Sequence, residues 1–122
     1  MARAPVRTVL VDASETFVVA AEKWLARRPE VVVVGHAFTG GAARAAVDRL
    51  NPELIVLDAM LPSIEGYRLV LEWKSRPKPP RVVLSTHSAS HAARRAAFAA
   101  GADAFLRKEA FAHEMDLLLR TL

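Results

Sequence analysis

Five short apolar runs recur along the chain, each separated from the next by a longer segment of different character. The runs are 6–11 (VRTVLV), 31–34 (VVVV), 54–57 (LIVL), 81–84 (RVVL) and a weaker one at 103–106 (DAFL). They are unbroken rather than alternating, which is the pattern of strands buried on both faces, as in parallel sheets. Alanine-, leucine- and charge-rich segments fill the gaps, at roughly 14–28, 39–50, 64–75, 89–100 and 109–121. Strands alternating with helices predict an α/β fold: a doubly wound, five-stranded parallel sheet covered by helices on both sides. Right-handed crossovers narrow the strand order to a few arrangements, and the patterns alone go no further.

Local signals mark the element ends. Ser14 and Thr39 stand where N-caps belong. Pro29 follows the first helix and Asn51-Pro52 the second, while Pro77, Pro79 and Pro80 end the third. Gly101 sits where a left-handed residue would close the fourth. In the last helix Phe111, Met115, Leu118 and Leu122 recur at helical spacing, a stripe read as core, as are Trp24 and Leu25 in the first. The chain of 122 residues shows no linker, repeat or low-complexity tract and reads as one domain, 1–122.

Composition excludes several function classes. No segment approaches the ~18 apolar residues of a membrane span. Arginines precede the first apolar run, but Asp12 cuts that run short, so it makes a poor signal peptide. Cysteine is absent, which removes disulfide and thiolate chemistry and fits a reducing cytoplasm. The net charge is +4, yet the arginines are scattered, with only Arg27–Arg28 and Arg94–Arg95 adjacent. Without a basic run or interleaved aromatic residues, direct nucleic-acid binding is not expected. There is no GxGxxG or GxxxxGK[ST], and the Gly40–Gly41 pair follows the second strand rather than the first, so a nucleotide or flavin site is not expected either.

In open parallel sheets, function collects at the carboxyl ends of strands. Strand one ends in Asp12, strand three in Asp58, strand four in Ser85 and Thr86, and strand five at Arg107 and Lys108. Each has a structural reading taken singly: Asp12 as part of a helix cap, Asp58 as a turn starter, Lys108 as a solvated cation. Together they set two carboxylates, a hydroxyl and an ammonium on one edge, where unpaired charge is costly. A carboxylate can act as nucleophile toward phosphorus, giving an aspartyl phosphate. Its repulsion from the phosphoryl oxygens must be offset, by a divalent cation held on oxygen ligands and by a lysine.

Three stretches in order resemble the receiver domain of two-component response regulators, a likeness that spans essentially the whole chain. LDAMLPSIEGY is similar to the family's aspartate, proline and glycine pattern, at Asp58, Pro62 and Gly66. GADAFLRKEA resembles its glycine-alanine, aromatic and lysine series, at Gly101, Ala102, Phe105 and Lys108. LVDASETF is similar to its acidic opening. The resemblance implies a flavodoxin-like (βα)5 sheet of order 2-1-3-4-5. It implies Asp58 as phosphoryl acceptor, and Mg2+ bound by Asp12, Asp58 and the Met60 carbonyl. Lys108 would pair first with Asp58 and then with the phosphoryl group, and Phe105 would be the aromatic that turns as the switch hydroxyl moves. An ungapped count from Gly101 and Lys108 picks Thr86 as that hydroxyl, whereas the pattern L-S-x-H picks Ser85 at the cost of one inserted residue. The ungapped count is preferred.

One departure bears on the metal. The family's opening carries two adjacent acids, and here Ala13 takes the second position. Loss of even a group behind the ligands costs about 10–100-fold in metal affinity, so Mg2+ binding is expected to be weakened unless Glu15 reaches the site. The expected function is a cytoplasmic phosphoacceptor module, phosphorylated by a histidine kinase or phosphotransfer protein. It would switch a face made by the fourth helix, fifth strand and fifth helix, which then recruits a partner or a second copy. The alternative is a degenerate receiver that binds partners without phosphorylation. No enzymatic activity is expected beyond transfer to, and hydrolysis from, its own Asp58. A phosphatase of the aspartate-nucleophile type wants an acid two residues on, where Met60 stands. The chain stops after the fifth helix, so either a stand-alone receiver or an excised domain is expected.

Overall fold

The computed structural model describes residues 4–61, 66–87 and 90–122. Each expected strand is present: β1 (Val6–Val11), β2 (Val31–Ala37), β3 (Leu54–Asp58), β4 (Arg81–Thr86) and β5 (Ala104–Arg107). They form one parallel sheet in the order β2-β1-β3-β4-β5, the order implied by the resemblance. The helices are α1 (Glu15–Leu25), α2 (Gly40–Leu50), α3 (Gly66–Lys74), α4 (His91–Ala99) and α5 (Phe111–Leu119). Pro62 of the motif, and the expected helix starts at 64 and 89, lie outside the described residues.

Boundaries differ from the sequence reading in a consistent direction. The apolar run of β2 stops at Val34, but the strand continues through Gly35 and His36 to Ala37. Its pairing with β1 slips between Thr8 and Val9, so Val34 is an extra residue and the ladder resumes beyond it. As an edge strand, β2 can present His36 to solvent. β3 and β4 run past their apolar cores to include Asp58, Ser85 and Thr86, which are therefore held in the ladder itself. β5 ends at Arg107, and Lys108 opens a 3-10 turn, Lys108–Ala110, before α5. Capping follows the sequence signals. Ser14 and Thr39 accept from Phe17 and Ala42 amides. Asn51 closes α2 in the left-handed region at φ 46°, and Gly101 has φ 104° after α4.

The core has two layers, one on each face of the sheet. Val9, Val11, Ile55, Leu57, Val82 and Leu84 pack under α2, α3 and α4, with Trp73 of α3 fully buried. Leu10, Leu54, Val56, Val83 and Leu106 pack under α1 and α5, with Val18, Leu25 and Met115. Phe111 and Met115 of the expected stripe are buried, but Leu119, not Leu118, completes it; Leu118 and Leu122 are partly buried. Alternation along each strand thus fixes which layer a strand-end side chain joins.

Candidate functional site

Register brings the two acids together. β1 pairs directly with β3, Val11 opposite Leu57, so the residues that follow, Asp12 and Asp58, emerge side by side. Both continue the registers of Leu10 and Val56 and so fall on the α1/α5 side of the sheet. Each spends one carboxylate oxygen on a local turn. Asp12 Oδ1 accepts the Ser14 amide at 2.9 Å, and Asp58 Oδ1 accepts the Met60 amide at 3.0 Å. Lys108 faces the other two oxygens: its Nζ lies 2.5 Å from Asp12 Oδ2 and 3.3 Å from Asp58 Oδ2. Both acids are buried, and so is the Lys108 side chain, at 6% exposure. Buried charges persist only when paired in this way.

The hydroxyls separate by face. Ser85, opposite Asp58 and Leu106, shares the register of Val83 and lies on the α1/α5 side; its hydroxyl donates to the Leu57 carbonyl at 3.4 Å. Thr86 shares the register of Leu84, whose partner on β5 is Phe105. Thr86 and Phe105 therefore lie on the α3/α4 side, Thr86 buried and Phe105 partly so. A groove of about 480 Å³ beside Phe105 is lined by Ser90, His91, Arg94, Arg107 and Glu114. There the Arg107 amide and guanidinium both donate to the Glu114 carboxylate at 2.9 Å. Burial of Glu114 opposes ionisation, but these two bonds prevail and hold its pKa below the usual carboxylate value.

Gly66 gives the motif glycine a physical reason. A Cβ built there would lie 2.6 Å from the Asp58 carbonyl oxygen and 2.8 Å from the Ala59 Cα. The Gly66 amide donates to the Ala59 carbonyl at 3.0 Å, which pins the start of α3 against the end of β3. Ala13 and Glu15 are both exposed at the start of α1. The available donors, two carboxylates and the Met60 carbonyl, are hard oxygens of the type a divalent cation prefers. Asp12 Oδ2 is buried without a well-aligned hydrogen bond, and its charge is met by the Lys108 ammonium beside it. The sequence reading placed Lys108 with Asp58 and missed its closer approach to Asp12. It also missed Phe17, whose ring centroid lies 5.0 Å from the ammonium.

Comparison with known proteins gives the family and the fold. The family model described as the response regulator receiver domain matches residues 8–120. A protein-glutamate methylesterase/protein-glutamine glutaminase of Gluconobacter oxydans is 40% identical over 88 residues, 71% of this chain and 25% of that protein. One from Rhizobium etli is 34% identical over 83 residues, 68% of this chain and 24% of that protein. The chain thus spans about a quarter of the length of these relatives. Among solved structures, the signal receiver domain of NarL from Mycobacterium tuberculosis superposes with a TM-score of 0.85 at 25% identity, covering 98% of this chain and all of that one. The response regulator domain of Thermotoga maritima CheB gives 0.85 at 22% identity, covering 96% and 95%.

Proposed function

The chain belongs to the response regulator receiver domain family, and on that premise we propose that Asp58 is its phosphoacceptor. The observation that carries this is the pair of buried carboxylates on adjoining strands sharing one buried ammonium. A carboxylate oxygen of Asp58 attacks the donor's phosphorus, and the bond from phosphorus to the donor breaks with its electron pair leaving on the donor. Lys108 remains beside the incoming phosphoryl oxygens and offsets their charge. Mg2+, held by Asp12, Asp58 and the Met60 carbonyl, supplies further neutralisation when bound.

Thr86, at the end of β4, donates its hydroxyl to a phosphoryl oxygen. Because Phe105 lies on the same side of the sheet, with open space beside it, movement of Thr86 frees that ring to turn inward. The α4–β5–α5 face then differs between the two states, and a partner or second copy that prefers one of them shifts the population. The donor is a histidine kinase or phosphotransfer protein, or a small phosphodonor. Among the described residues no helix is long and apolar enough to cross a membrane, and we place the domain in the cytoplasm. Its own chemistry is confined to gain and loss of the Asp58 phosphoryl group.

Intact mass after incubation with acetyl phosphate, with and without Mg2+, tests the reading beside Asp58→Asn. The expected result is a Mg2+-dependent gain of one phosphoryl group that the variant lacks. No gain at any Mg2+ concentration would replace this reading with a receiver that works through its surface alone, as the loss of an acid at Ala13 would then explain.

A further inference from the structure

Lys108 is held asymmetrically. Its ammonium is nearer to Asp12 (2.5 Å) than to Asp58 (3.3 Å), and the Phe17 ring stands 5.0 Å behind it. That ring is fixed in place. Phe17 meets Phe111 edge to face at 5.4 Å, Phe111 meets Trp24 in the same manner at 5.5 Å, and the Arg28 guanidinium covers Trp24 at 3.5 Å. The stack joins α1 to α5 and presents the ring's electron-rich face to the cation. Ala13 brings no side-chain oxygen beside Asp12, and the cation paired with Asp12 is Lys108.

We propose that Phe17 is a positioning residue that, together with Asp12, holds Lys108 on the Asp12 side. Lys108 and a divalent cation then compete for Asp12, and the Phe17 ring sets the balance. This rests on the Asp12–Asp58 pair being the cation site described above. Two consequences separate it from a merely structural role. With the ammonium 5.0 Å over the ring, the adjoining Lys108 ε-methylene protons should be shielded by it. Removing the ring while keeping an apolar side chain should also favour the added cation.

The experiment is side-chain NMR of the full chain with Mg2+ titration, on wild type, Phe17→Leu, Phe17→Tyr, Ala13→Asp and the Ala13→Asp/Phe17→Leu pair. Without Mg2+, the Lys108 ε-methylene signals are expected upfield in wild type and Phe17→Tyr, and at their ordinary position in Phe17→Leu. Phe17→Leu should tighten Mg2+ about threefold, the amount a cation–π contact of this class contributes, and Phe17→Tyr should restore the wild-type value. In the Ala13→Asp background, where a new oxygen relieves the demand on Asp12, the Phe17→Leu effect should vanish. Ordinary Lys108 shifts in wild type, or equal Mg2+ affinity with and without the ring, would overturn the proposal. If Ala13→Asp also binds no Mg2+, the cation site itself is wrong and the proposal falls with it; if Ala13→Asp binds while Phe17→Leu matches wild type, the positioning role alone fails.

Discussion

Gly66 is the residue with the least freedom in the site. Its Cα faces the backbone of Asp58 and Ala59, atoms that cannot rotate away as a flexible side chain can. Gly66→Ala must therefore push α3 off the end of β3, and overpacking of this kind costs about 1–3 kcal/mol. Urea unfolding should show that loss, and the displaced Asp58 should slow phosphorylation; an unchanged midpoint would mean the helix start yields freely. Ala13 is the opposite case, a small exposed residue where a carboxylate fits. Ala13→Asp should tighten Mg2+ by at least the ~10–100-fold that accompanies loss of an outer-shell group, as read by titration. The nearness of Asp58 to Lys108 and the close approach at Gly66 were legible because these residues, like Phe105, sit at fixed offsets in local motifs. The approach of Lys108 to Asp12 and Phe17 was not, since it depends on distances between strands and on a side-chain path. Between Ser85 and Thr86 the ungapped count favoured Thr86, and the register adds that Thr86 lies on the Phe105 side while Ser85 lies on the Asp58 side.

At the level of elements, helix ends were read too generously. Propensity continues past the last turn, whereas α1 stops at Leu25, where the buried face ends. The helices also differ in anchorage. α3 buries Gly66, Leu69, Val70 and Trp73, while α4 buries only Ala97. Since tertiary packing supplies most helical stability, α4 amides should exchange hydrogen through local opening, well before those of α3 and β3. Equal protection would show that alanine propensity alone holds α4. α2 is tied to α3 by Arg44 to Glu72, with bonds of 2.8 and 2.6 Å, and to the segment just after α3 by Asp48 to Arg76. The Arg44 hydrogen bond holds the Glu72 carboxyl below its ordinary pKa, against a smaller opposing effect of burial. A carboxylate with a depressed folded-state pKa stabilises fully above its unfolded pKa and loses that contribution as pH falls through the folded value. Glu72→Gln should therefore reduce stability slightly near neutrality and flatten its decline through the acidic carboxylate range. Melting curves across pH check this, and a difference that grows toward low pH would contradict the sign.

Across the whole molecule, the sheet divides the site's work between its two faces. The carboxylates and Lys108 lie with the α1/α5 layer, while Thr86 and Phe105 lie with the α2–α4 layer. Asp58 and α4 lie on opposite faces, so in the proposed switch the signal passes over the carboxyl edge by way of Thr86 at the end of β4. Thr86→Ala separates the two halves of the function. The Asp58–Lys108 pair is untouched, so acetyl phosphate should still add one phosphoryl group to the variant. In wild type, phosphorylation should change hydrogen exchange along α4 and β5; in Thr86→Ala that change should disappear while the mass gain persists. If the α4 response survives in Thr86→Ala, the coupling runs instead through the backbone after β4 or through Lys108 and the α5 layer. The Phe17–Phe111–Trp24 stack would be the next path to cut, because it is the continuous contact leading from Lys108 away from the edge.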